Sequence, residues 1–389
     1  MYRHSRRRST GQALLVVSLL TTGLALAPSA YADTVTASPA RVEKQVTTSS
    51  PVTGVAESEV QLKIPLPVTA GAHPAACDWL SYLRYRDIKG PASSAAADKI
   101  LIAQPGILAG AGSFDSVARN TVAAAAATGR HIEFWALDRR SNCLEDHTGI
   151  AAGLAARNAE VAVDYYYNHQ SINGKTFAGY YDNSNNAWLG TVGIAQTVED
   201  EYDLMVAELP DQHLRKQKVL CGGHSLGGTI TGFFAKWDFD GHAGADQCSG
   251  YFALDTTIST SMSGAEQTAM ATAGIPAPES GYDTTQAALA SGSIPRSLDL
   301  PAVINPQTLN TIGIAGLGAV LGPDAPSVLT TRVPEGVKGA LRRYAGNQHD
   351  VWVAAARWVR VQWKRMRRAE FCGFRNPQAA RLTVLTRRL

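Results

Sequence analysis

Beyond residue 32 the chain has no apolar run long enough to cross a bilayer as a helix, which takes about 20 residues. Internal repeats, a collagen-like period and heptad bias are also missing, which excludes fibrous and solenoid architectures. Cysteine is sparse, at positions 77, 143, 221, 248 and 372, and no spacing among them resembles a zinc site. With no metal cluster and no phosphate-binding glycine loop, no metal or other cofactor is expected. Acidic residues nearly vanish from 342–389, where Asp350 and Glu370 face 12 Lys and Arg. The stretch 33–341 then holds 20 basic and 31 acidic residues, a net of −11 that argues against a nucleic-acid partner. What is present is ordinary globular material, 45% hydrophobic and 18% charged.

The first residues read as an address. Four arginines lie within residues 2–8, the apolar run ALLVVSLLTTGLALA follows at 13–27, and Ala30-Tyr31-Ala32 supplies a small-x-small cleavage site. A basic start, a short apolar stretch and this ending predict a secretory signal peptide over 1–32, hence an extracellular protein without a stable membrane anchor. Export permits disulfides. Cys77 and Cys143 sit in polar, loop-like contexts and could pair, whereas Cys221 lies in an apolar strand and reads as a buried thiol.

Residues 33–72, rich in Thr, Ser, Ala, Val and Pro, read as a flexible lead-in with one edge strand near 60–68. From there the pattern alternates. KILIAQ (99–104), HIEFWALD (131–138), KVLCGG (218–223) and GYFALD (250–255) are short apolar runs that predict buried strands. Helices are predicted over 114–129, 190–209 and 229–237. Alternating strands and helices of this size predict an α/β fold, a mostly parallel sheet covered by helices on both faces. One domain is expected over 73–389, with residues 258–340, rich in Ala, Gly, Ser and Thr, forming a helical cap or lid.

The chemistry centres on KVLCGGHSLGGTITGFFAKW (218–237), where Gly223-His224-Ser225-Leu226-Gly227 spells G-x-S-x-G between a predicted strand and a predicted helix. A sharp strand-to-helix turn forces such a serine into a strained backbone and exposes its hydroxyl. Small residues are needed two before and two after it, and Gly223 and Gly227 meet that need, with Gly228 adding room. The following helix points free N–H groups at developing negative charge. The segment resembles the nucleophile elbow of α/β-hydrolases, in the form common among lipases and esterases. The resemblance is strongest over 98–257. It implies an α/β-hydrolase fold, Ser225 as nucleophile, and an oxyanion hole made by the N–H groups of Leu226 and Ile107, the latter in the loop after strand 99–104.

The same resemblance implies the order serine, acid, histidine along the chain. Only His242 and His349 follow Ser225. His242 comes too soon, so His349, in YAGNQHDVWVAAARWV, is the expected base. Asp255, at the end of GYFALD, is the expected acid, with Asp283, Asp299 and Asp324 as alternatives. The abrupt change of composition near 342 has two readings: a basic amphipathic helix, or an altered terminus in which His349 is accidental. FWALDRRSNCLEDHTG (134–149) resembles a stretch of uncharacterised secreted actinobacterial α/β-hydrolases. Its Glu145, Asp146 and His147 read either as lining a pocket entrance or as a salt-bridged loop pinned by Cys143.

The tyrosines at 165, 166, 167, 180 and 181 and the apolar stretch 311–322 suggest an apolar acyl pocket. A hydrophobic or lipid ester is therefore the expected substrate. A peptidase or thioesterase with the same elbow, and a non-catalytic secreted binding protein on the same scaffold, are the rival readings.

Overall fold

The structure is a computed structural model, and it describes residues 39–48, 50–181, 186–258, 282–294, 296 and 305–321. Its centre is a seven-stranded sheet made of β1 (Arg41–Gln45), β2 (Val55–Lys63), β3 (Trp79–Asp87), β4 (Lys99–Gln104), β5 (Ile132–Leu137), β6 (Val219–His224) and, beyond the small hairpin of β7 (Asp238–Phe239) and β8 (His242–Ala243), β9 (Gly250–Leu254). Spatial order is β1-β2-β3-β5-β4-β6-β9. The last four run parallel, while β1, β2 and β3 pair antiparallel with one another and β3 with β5, so the sheet is mixed.

Side-chain alternation explains why the parallel strands read as unbroken apolar runs. In β4, Ile100 and Ile102 enter one core and Leu101 and Ala103 the other; in β5, Trp135 and Leu137 oppose Phe134 and Ala136. Helix α1 (Asp115–Ala126) covers one face with Ala118 and Val122. Its alanine-rich run starts on Asp115, favourable at the helix N-terminus, and stops before Gly129, which turns at φ 75°. The other face is covered, after α2 (Thr148–Ala156) and α3 (Glu160–Asn168), by α4 (Ile194–Glu208), which brings Val198, Leu204 and Met205. Beyond α5 (Gln212–Lys218), α6 (Leu226–Lys236) adds Ile230 and Phe234 to the same core.

Two expectations need correction, and one strand was not expected at all. The segment expected to be a flexible lead-in supplies β1 and β2, and β2 is internal, since β1 pairs outside it. Strand β3 had no apolar run to announce it. It carries Arg84, whose Nε bonds Glu133 at 2.9 Å, beside β2, where Glu57 meets the fully buried Arg119 of α1. These charges pair across elements and so tolerate burial. Finally, Cys221 is not a free thiol: it bonds Cys248, and Cys77 bonds Cys143 as expected. Cys221 looks like a small core residue in sequence, but the turn before β9 brings Cys248 against it.

Of the cap region, the structure describes α7 (Tyr282–Ser291) and α8 (Pro306–Leu321). Ile314, Ala315 and Leu317 of α8 pack on Ala162, Val163, Tyr165 and Tyr166 of α3, so the tyrosine-rich segment and the apolar stretch share a core.

Candidate active site

Ser225 sits between the end of β6 and the start of α6 at φ 52° and ψ −118°, a backbone state that costs a non-glycine residue on the order of 1–3 kcal/mol. Packing enforces it. A Cβ on Gly227 would lie 2.1 Å from the Gln104 carbonyl oxygen, and one on Gly223 would lie 2.5 Å from the Gly227 carbonyl carbon. On Gly228 it would meet the Thr256 methyl at 2.4 Å. Gly223 and Gly227 therefore let β6, α6 and the end of β4 approach backbone to backbone, and Gly228 makes room for Thr256 beyond β9. The Ser225 carbonyl accepts from Gly228 N at 3.0 Å and Thr256 Oγ1 at 2.7 Å, which fixes the turn, and the serine is half-buried.

Parallel register gathers the remaining parts at one edge of the sheet. Gln104 pairs with Gly223 and His224 with Leu254, so the residues after β4, β6 and β9 emerge together. Beyond β4 comes the Pro105–Ala109 loop. A Cβ on Gly106 would lie 2.9 Å from His224 Nδ1 and 3.3 Å from the Ser225 Cβ, so this loop touches the elbow. Leu226 is the first residue of α6, where an N–H has no partner within the helix, and Ser225 offers no side-chain cap. Ile107 and the positive-φ Leu108 project apolar side chains, 52% and 49% exposed.

The segment after β5 supports that loop. Arg139 donates to three of its carbonyls: Nη1 to Pro105 at 2.8 Å, and Nη2 to Gly106 at 2.5 Å and Ala109 at 3.1 Å. Asp138 accepts from Ala111 N at 2.7 Å and Ser81 Oγ at 3.0 Å, and burial pushes its carboxyl up to about 6. Arg140 is buried against Asp200 and donates to the carbonyls of Ile64 and Cys77, at 2.6 and 3.0 Å. The Cys143–Cys77 disulfide closes the same turn. Sequence reasoning assigned no role to Arg139. The available signal was a pair of arginines directly after a strand.

Glu145 and His147 form an exposed ion pair at 2.9 Å, and the carboxylate raises the imidazole's proton affinity. With Glu59, Trp79, Asp138 and Arg139 they line a polar cavity of about 170 Å³. Asp146 turns elsewhere. It takes bonds from Tyr165 Oη and Lys175 Nζ, and hydrogen bonds from these and Thr148 outweigh burial and draw it down to about 2.

Asp255 follows β9 directly, at φ 49° and exposed, one step past the residue that pairs with His224. His242 lies exposed in the small β7–β8 hairpin and Asp283 in the first turn of α7. His349, Asp299 and Asp324 lie outside the described residues.

Beneath the elbow, Gln104 Nε2 donates to the fully buried Glu201 at 3.0 Å. Gln104 Oε1 and Glu201 Oε1 have no hydrogen-bond partner among the described residues, and burial pushes the Glu201 carboxyl up to about 7.

Among the described residues no helix is long and apolar enough to cross a membrane, and no group of His, Cys, Asp or Glu is arranged to hold a metal. No family model, curated protein or solved structure matches the chain.

Proposed function

We propose that this protein is a secreted serine hydrolase of the α/β-hydrolase type that cleaves carboxylic esters, with hydrophobic or lipid esters as its substrates. The observation that carries the proposal is the backbone of Ser225, bent to φ 52° at a strand-to-helix turn cleared by Gly223, Gly227 and Gly228. The strand ends that bring Asp255 and the Pro105–Ala109 loop to the same end of the sheet support it, as do the exposed Ile107 and Leu108 of that loop, which suit an apolar acyl chain. The leader sequence and two disulfides support export.

In this reading Ser225 Oγ attacks the ester carbonyl carbon while His349 takes its proton, and Asp255 orients the imidazole and stabilises its charged form. The N–H groups of Leu226 and Ile107 hold the oxyanion of the tetrahedral intermediate. Collapse expels the alcohol, protonated by His349, and leaves an acyl-serine. Water, deprotonated by the same histidine, then releases the acid.

The test is a fluorophosphonate probe together with nitrophenyl esters of increasing chain length, on wild-type protein and Ser225→Ala. Wild-type labelling and turnover that vanish in the variant are expected, with longer acyl chains preferred over acetate. Folded wild-type protein that neither labels nor turns over any ester would overturn the proposal.

A further inference from the structure

The Pro105–Ala109 loop has no side-chain hydrogen bond of its own to hold it, yet the hydrolase reading needs its backbone amides to aim at one point beside Ser225. Arg139 is the only described side chain that bonds more than one of its carbonyls. No cis peptide occurs among the described residues, and in a planar trans peptide the carbonyl of one residue and the N–H of the next point in opposite directions. With the Pro105 and Gly106 carbonyls turned onto the guanidinium, the N–H groups of Gly106 and Ile107 are both turned away from it. Gly106 also leaves no room for a side chain against the elbow: a Cβ there would lie 2.9 Å from His224 Nδ1 and 3.3 Å from the Ser225 Cβ. Gly106 thus lies between the guanidinium that bonds its carbonyl and an elbow that leaves no room for a Cβ.

Two features make the guanidinium a reference point and not another mobile part. Its main chain is anchored by neighbours on either side: Asp138 holds Ala111 N and Ser81, and Arg140 holds Asp200 and two carbonyls, with Cys143 covalently tied to Cys77. Its planar fork can also serve several carbonyls at fixed angles, which an ammonium on a flexible stem cannot.

We infer that Arg139 is a positioning residue of the ester-hydrolysing site: by gathering the carbonyls of Pro105, Gly106 and Ala109, it sets the direction of the Ile107 N–H that holds the oxyanion. This rests on the serine-hydrolase reading above. It acts on the charge that develops in the transition state and not on the bound ester, so its removal lowers kcat and leaves KM nearly alone.

The experiment compares wild-type protein, Arg139→Lys and Arg139→Ala by ester kinetics, by affinity for an alkylboronic acid, and by thermal midpoint. Kinetics of Arg139→Ala are repeated with added methylguanidinium. A boronic acid adds to the serine and places an oxygen where the oxyanion forms. The expected result is a kcat lowered about 100-fold in Arg139→Ala, the order of one lost oxyanion donor, with KM moving less than about threefold. Boronate affinity falls in parallel, Arg139→Lys recovers little, and methylguanidinium restores at least about tenfold. Wild-type protein without ester turnover removes the parent reading and this inference together. An active wild type whose Arg139 variants keep its kcat, or lose kcat and KM in proportion, overturns this inference alone. So does failure of both variants to fold, which would assign the clamp to stability.

Discussion

The two sides of Ser225 are held by opposite means. On the α6 side the backbone is fixed by clearance: the Gln104 carbonyl fills the gap left by Gly223 and Gly227, and Thr256 the one left by Gly228. On the side of the Pro105–Ala109 loop it is fixed by charge, through one guanidinium bonded to three carbonyls. The contact-packed side needs no partner far along the chain beyond a strand end. The charge-held side depends on Arg139, which in turn depends on Asp138, Arg140 and a disulfide. Sterics leaves a compact trace in sequence, and a clamp built across distant residues leaves almost none.

The sharpest way to break the contact-packed side is Gly227→Ala. A methyl 2.1 Å from the Gln104 oxygen cannot be relieved unless β4 and β6 part, so a loss of more than about 4 kcal/mol is expected, read as failure to fold or a collapsed urea midpoint. Normal folding of that variant would show the close approach to be dispensable. The charge-held side is probed next by Cys77→Ser with Cys143→Ser. Opening a link across a sequence separation of 66 costs about 4 kcal/mol in the chain-entropy picture. In the proposed hydrolase, ester turnover by the folded fraction falls as well, because the turn that carries Arg139 loosens. Unchanged specific activity would separate the disulfide from the clamp.

Below the contact-packed side, Glu201 gives a pH signature. The unfolded chain releases this proton near 4.5, the folded one only near 7, so the folded form binds more protons in between. Stability therefore falls as pH rises from about 4.5 to 7 and stays low above that. In Glu201→Gln this slope disappears, and the variant gains on wild type by up to about 3 kcal/mol at pH 8, measured by urea unfolding across the range. Parallel curves for the two proteins would place the proton elsewhere. The smallest effect is expected from Asp138→Asn. The amide keeps an acceptor for Ala111 N but loses the charge, for a cost of about 1 kcal/mol and a few-fold drop in kcat.

Much of this architecture was legible in residues taken in order. The runs at 99–104, 131–138, 218–223 and 250–255 fall on β4, β5, β6 and β9, because strands covered on both faces need no polar alternation. Gly223, Ser225 and Gly227 announced the turn through their spacing between a predicted strand and a predicted helix. β3 stayed hidden, and β2 showed only as an edge strand near 60–68, because Glu57 and Arg84 look solvent-facing until Arg119 and Glu133 are placed against them. Arg139 stayed hidden because its partners are carbonyls, which every residue carries. The Cys221–Cys248 pair stayed hidden because an apolar strand is an equally good setting for a thiol.

That second disulfide has a mechanical consequence. It ties β6 to the turn before β9 near the foot of both strands, where Ser249 also bonds the Val219 carbonyl through its N–H at 2.6 Å and its hydroxyl at 2.8 Å. Ser225 and Asp255 ride at the opposite tips of this stapled pair. The two strands cannot slide past each other. In the proposed hydrolase, any adjustment between Ser225 and Asp255 is confined to bending about a fixed root.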